Sequence, residues 1–279
     1  MTRQVKASQR ARTRRLACAG ARGTSMNPQQ GRPNAGTASV VAALVLAFGL
    51  AAPAVRAAEF TEAELFVELN DTDGDLGLHA SIDGGPWKEL EIEGPNERTL
   101  LKVTAQGSLA RQGGTQLFLE SAEPSFDELA PERFFSRFPK GKYQIEGKAL
   151  DGKEFKTTVE LSHVLAAPPS NIRVNTELDK VKNCDEEPLP SVTGPVTISW
   201  DPVTESHPEL GEPGDVEIAR YQFFVEQGDF TLAVDLPPDV TTFAIPSAVV
   251  TPGSVKIEII ARTSTGNNTA VEQCFVLEP

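Results

Sequence analysis

From residue 63 onward, apolar positions recur mostly every second residue, the period of a strand with one buried face. Leu65, Val67 and Leu69 alternate with polar neighbours in a first run, and Leu76, Leu78, Ala80 and Ile82 mark a second. Asn70 to Asp75 reads as the turn between them, and Asp83-Gly-Gly-Pro86 as a turn that ends the second strand. Trp87–Ile92, Thr99–Ala105 and Thr115–Leu119 supply three more strands. Turns about ten residues apart are the rhythm of a β-sandwich or barrel. The rhythm breaks between Ser125 and Phe138. Ser125-Phe-Asp-Glu128 has capping-box spacing, Pro131 suits the first turn of a helix, and Phe126, Leu129, Phe134, Phe135 and Phe138 fall at near-helical intervals. One or two short helices are expected there, covering one end of the sandwich. Tyr143–Gly147 and Phe155–Leu161 then form a hairpin about Asp151-Gly152.

Ala166-Ala-Pro-Pro-Ser170 reads as a short, stiff linker. Beyond it, Val196, Ile198 and Trp200 alternate with Thr197 and Ser199 until Asp201-Pro202 stops the strand. Ile218 to Val225 is a β-branched and aromatic run with Tyr221 near its start. A Trp ending one strand and a Tyr opening the next fill the centre of a small sandwich. The pair resembles the second and third strands of a fibronectin type III domain. The resemblance begins at Pro169-Ser-Asn-Ile-Arg-Val174 and continues through Phe230–Leu236, Thr242–Pro246 and Pro252–Asn267 to the strand around Cys274–Leu277. It covers residues 168–279 and all seven strands, although Glu177–Ser191 and Thr204–Asp215 are longer than the family's usual segments. In the first half, Pro139-Lys-Gly141 leading into Tyr143 resembles the tyrosine corner of Ig-like sandwiches, which implies a hydroxyl bonded back to upstream backbone. The expected fold class is all-β: two tandem Ig-like or fibronectin type III β-sandwiches at 58–166 and 167–279, the first with a short helical insertion.

Charge adds a compartment. Residues 1–57 hold nine basic residues and no acid, although the whole chain carries a net charge of −13. The apolar, uncharged run Ala38–Ala52 follows those basic residues and is shorter than the roughly 20 residues of a membrane span. Val55-Arg-Ala57 has small residues at the cleavage positions, so 1–57 reads as a secretory signal removed after Ala57, with Met26 as an alternative start. The mature chain is then strongly acidic, which disfavours nucleic acid and anionic lipid as partners. It is expected to be secreted or periplasmic, with no membrane insertion once the signal is cleaved. Loss of the signal discards Cys18 and leaves Cys184 and Cys274, an even count that favours a disulfide in an exported chain.

Candidate chemistry is sparse. Asp71, Asp73 and Asp75 stand at i, i+2 and i+4 in a glycine-bent loop, an arrangement that can converge carboxylate oxygens on calcium, with Asn70 and Asp83 as helpers. The spacing resembles the start of an EF-hand loop, but Leu76 and Ile82 stand where that loop needs a glycine and an acid, and a solvated turn tip has the same composition. His207 sits among Glu205, Glu209 and Glu212 in a proline-rich loop, while His79 and His163 lie apart on strands, so no catalytic pairing is visible. Asn70-Asp-Thr72 and Asn267-Asn-Thr269 fit the glycosylation sequon. Nucleophile-elbow, zinc-protease, redox and phosphate-loop motifs are absent. The expectation is a non-catalytic exported interaction or structural module that binds a protein or glycan. The alternative is a calcium-dependent carbohydrate-binding or glycan-processing accessory protein.

Overall fold

A computed structural model of the chain describes residues 59–279, which belong to one compact unit spanning Ala57–Pro279. The expected leader, with Cys18, Met26 and the cleavage position after Ala57, lies outside the described residues. Within them the chain forms fourteen strands and two short helices, and no helix is long and apolar enough to cross a membrane.

The first core is built on β1 (Phe60–Asn70) and β2 (Asp75–Glu93), which pair antiparallel from Asn70↔Asp75 outward. Leu65, Val67 and Leu69 on β1 and Leu76, Leu78, Ala80 and Ile82 on β2 are buried, as their alternation requires. β3 (Thr99–Thr104), β4 (Gly114–Glu120), β5 (Gly141–Ala149) and β6 (Glu154–Leu161) complete this lobe. The expected turn at Asp83–Pro86 is not a turn: β2 runs through it. On one side β2 leaves β1 at Gly84 and meets β5 from Trp87, and on the other it passes from β4 to β3. The glycines let the strand bend where its partners change. A Cβ on Gly84 would stand 2.7 Å from the carbonyl oxygen of Glu59. Both halves of β2 point apolar side chains into the same core, with Trp87, Leu90 and Ile92 joining the earlier set.

The helical insertion is present with a different start. The helix α2 (Pro131–Arg137) begins on Pro131, but its N-cap is Ala130 with no side-chain cap, and Ser125 instead bridges to Asp75. A further short helix, α1 (Gly107–Gln112), joins β3 to β4. Phe134 is buried and meets Phe135 and Phe138 edge-on, at ring separations of 5.6 and 5.0 Å. The corner forms as the resemblance implied: Tyr143 donates its hydroxyl to the Pro139 carbonyl at 2.9 Å.

The second core lies between two sheets. Three strands, β7 (Arg173–Val174), β9 (Val196–Ser199) and β12 (Thr242–Ile245), form one sheet. Four strands form the other: β10 (Ile218–Gln227), β11 (Phe230–Leu236), β13 (Gly253–Thr263) and β14 (Asn268–Leu277). This three-plus-four arrangement is the sandwich expected of a fibronectin type III fold. Trp200 fills its centre, edge-on to Tyr221 at 5.4 Å and stacked on Phe223 at 5.9 Å.

The lobes share a sheet. β14 pairs antiparallel with β13 and, along its other edge, parallel with β1 through Glu68↔Asn268, Leu69↔Thr269 and Asn70↔Ala270. The result is one eleven-stranded sheet running from β11 to β6. Farther along that edge, Lys182 exchanges two backbone hydrogen bonds with Cys274, the short strand β8 (Ser191–Val192) pairs with Val276 and Leu277, and Cys184 is disulfide-bonded to Cys274. The unusually long Glu177–Ser191 segment therefore covers a strand edge. The expected linker is no free hinge, since Leu165 packs in the first core and Ala166 in the second, both fully buried.

Asn267 locks the joint. It is 1% exposed. Its Oδ1 accepts from the Val67 amide at 2.9 Å, and its Nδ2 donates to the carbonyls of Ser162 and Val164, both at 3.0 Å. Burial and these three bonds close the Asn267 sequon to a glycan. Replacement N267A strands buried backbone groups and is expected to lower stability by about 2–3 kcal/mol. Because the lost bonds tie the lobes together, urea unfolding followed by Trp fluorescence should broaden or divide into two transitions; a single transition at the wild-type midpoint would contradict this account of the joint.

Candidate functional site

The aspartate turn lies against the second lobe. Asp71 to Gly74 connects β1 to β2, and Asn70 Oδ1 accepts from the amides of Thr72 and Asp73 at 3.1 Å each. Gly74 takes a φ of 65°, the left-handed conformation that favours glycine. Asp71 Oδ1 accepts from His207 Nε2 at 3.0 Å. Nδ1 of that histidine accepts from the amides of Glu209 and Leu210, which fixes the tautomer with its proton on Nε2. The two loops that the sequence singled out separately, the carboxylate turn and the acidic loop around His207, therefore meet. Asp75 stands at the start of β2, and Asp83 lies where that strand bends.

The structure brings together a different group of ligand-type side chains. Glu68, His79 and Glu123 each place one nitrogen or oxygen such that all three atoms lie within 4.8 Å of one another. Strand period explains two of them. With Leu65, Val67 and Leu69 directed to the core, β1 turns Glu64, Phe66 and Glu68 to the opposite face, and β2 likewise turns Gly77 and His79 there. Register then sets Glu68 beside Gly77 and Phe66 beside His79. The third arrives from the segment after β4. Ser121 continues the pairing with Leu78, its Oγ accepting from the Leu78 amide at 2.9 Å, and this carries Glu123 over Gly77. A Cβ on Gly77 would lie 2.1 Å from Glu123 Oε1, so the glycine forms the notch that holds the carboxylate.

His79 is 4% exposed although it faces away from the core. Phe66 and Phe118 flank it, with ring separations of 5.4 and 6.1 Å. Its Nε2 lies 2.9 Å from Glu123 Oε1. Burial opposes charge on the imidazole, but the Glu123 hydrogen bond and the fields of Glu68, Glu123 and Glu120 outweigh it, so the His79 pKa is raised. Behind Glu68, Arg262 Nη1 donates to Asn268 Oδ1 at 3.2 Å, and Asn268 Nδ2 donates to Glu68 Oε2 at 2.7 Å. The sequence placed His79 correctly off the core face. It gave no sign of Glu123, which is distant in the chain, and only the unexplained Gly77 inside a strand hinted at a close approach.

The same face continues across the joint. Glu258 on β13 stands directly opposite Glu272 on β14. Burial, followed by the charges of Glu272 and Glu68, raises the Glu258 pKa to about 8, with Lys256 pulling the other way. Lys256 Nζ lies 2.8 Å from Glu272 and 3.6 Å from Glu226. A carboxyl whose pKa is raised in this way can donate to an oxygen-rich ligand or move a proton. A shallow hollow in the second lobe, lined by Thr204–Ser206 and Pro213–Val216, lies in the His207 loop instead.

No protein-family model matches the chain, and no curated protein matches it. Among solved structures it is similar to the Clostridium thermocellum CbhA fibronectin(III)-like modules, at 11% identity over 79% of this chain and 94% of that one, with a TM-score of 0.27. It is similar also to the FN1–FN3 domains of chicken CNTN1, at 11% identity over 78% and 67%, TM-score 0.31. A third is the BSP domain of a biofilm associated protein, at 12% identity over 78% and 29%, TM-score 0.24. The fold assignment rests on the strand order and pairing described above.

Glu258 makes stability depend on pH. Between its ordinary value of 4.5 and its folded value of about 8, the folded chain keeps a proton that the unfolded chain releases, so this group lowers stability as pH rises through that window. The variant E258Q cannot ionise. Its melting temperature should match the wild type near pH 5 and exceed it above pH 8, by calorimetry at both values; a constant offset between the two proteins would show that Glu258 titrates normally.

Proposed function

We propose that the chain is an exported, non-catalytic interaction or structural module: a stiff pair of sandwiches, residues 58–166 and 167–279, that presents an acidic sheet face to a protein or glycan partner outside the cytoplasm. The observation that carries this is the joint between the lobes. A spacer or display unit must hold its surface at a fixed angle, and the shared sheet, the buried linker and the Asp71–His207 contact each oppose bending there. The Cys184–Cys274 bond supports an oxidising compartment, and it closes a loop of 90 residues, which the chain-entropy view values at about 4.6 kcal/mol. The negative surface favours partners that are neutral or basic.

A second possibility follows from Glu258 and Glu272. A carboxyl with a raised pKa directly opposite a second carboxyl favours the glycan-processing form of the alternative raised by the sequence, a calcium-dependent carbohydrate-binding or glycan-processing accessory protein. One assay separates the two. The purified mature protein is incubated with insoluble cell-wall polysaccharides and with immobilised envelope proteins, and both retention and soluble products are measured. Retention with no released reducing sugar or peptide is the expected outcome. Product release that E258Q abolishes would make the protein an enzyme and overturn the proposal.

A further inference from the structure

We propose that Glu68, His79 and Glu123 form a binding site for a divalent transition ion of the zinc class, held by His79 Nε2 and one oxygen of each carboxylate, with water completing the shell. The donor set points to this class. Calcium and magnesium take oxygen ligands, whereas an imidazole nitrogen among carboxylates suits zinc and its first-row neighbours. Three protein ligands and an open position are a common zinc arrangement.

Geometry supports the assignment. The three donor atoms already lie within 4.8 Å of one another. Bonds of about 2.0–2.1 Å in a tetrahedral shell place ligands roughly 3.3 Å apart, a distance that small rotations of two glutamate side chains can reach. Three separate segments supply the ligands: β1, β2 and the stretch beyond β4. The surroundings fix each of them. Arg262 orients the Asn268 amide, which holds Glu68, in the manner of an outer shell that aims a ligating carboxylate. Gly77 leaves the notch that Glu123 fills. Phe66 and Phe118 flank His79, and this low-polarity setting strengthens its bond to a cation.

Without metal, the 2.9 Å contact between His79 and Glu123 is a hydrogen-bonded pair. An entering ion takes the place of the bridging proton. A plain ion pair needs only His79 and Glu123, whereas the inferred site also requires Glu68, which does not touch the imidazole through any hydrogen bond described above.

The test uses the purified protein stripped with chelator, with zinc alone as the probe. Isothermal calorimetry should show one ion bound per chain, and zinc should raise the melting temperature, reversibly with EDTA. Cobalt should give a visible absorption band. E68Q and E123Q, both at partly exposed side chains, should each weaken zinc binding at least tenfold while melting near the wild type in EDTA. G77A should weaken it by displacing the Glu123 carboxylate. H207A and the double variant D71N/D73N should leave it unchanged. The proposal is overturned if zinc gives no heat beyond dilution, if E68Q and E123Q bind as the wild type does, or if binding disappears with H207A instead.

Discussion

A strand has two edges, and every backbone amide and carbonyl along them needs a partner. In this protein the last strand decides the architecture. β13 takes one edge of β14, and the other edge is divided: β1 pairs with its first residues, while Lys182 and β8 take the remainder. A lone sandwich would leave that edge open to solvent. Here the first lobe is held by the same hydrogen bonds that close the second, and Asn267 extends the contact through its side-chain amide to the backbone of Val67, Ser162 and Val164 in the first lobe. Two cores thus become one unit without merging.

The joint also determines the electrostatics. Setting β1 beside β14 aligns the outward residues of both lobes, several of them acidic. Glu68, Glu258, Glu272 and Glu226 gather on one face with Lys256 as the cation among the latter three. Like charges so placed relax in the ways chemistry allows. Glu258 keeps its proton. Amides from Asn70 and Asn268 donate to Glu272 and Glu68. His79 gains basicity beside Glu123. The face is therefore poised to take up protons or cations, a property of the assembled sheet and of neither lobe alone.

Much of the fold was legible because its rules are local. Alternation located nearly every strand, the Trp200–Tyr221 pair identified the second core, and Pro139–Gly141 announced the Tyr143 corner. What escaped was non-local. Asn267 looks like a turn residue or a sequon until its amide meets Val67, 200 positions earlier. Asp83–Pro86 has turn composition, yet exchange of partners on both sides keeps it within a strand. The candidate site escaped for the same reason: Glu123 and His79 are 44 residues apart, and strand pairing alone brings them together. The aspartate triplet attracted notice because its pattern is contiguous, although Asp71 is engaged with His207.

The direction of the β1–β14 pairing has a mechanical consequence. The two strands run parallel. Tension applied through residue 59 and residue 279 pulls β1 backward and β14 forward along their common axis. The bonds between them are then loaded in shear and must yield together, whereas an antiparallel pair gripped at one end peels open one rung at a time. A protein anchored on one side and loaded on the other would resist being drawn out at the very seam that unites it.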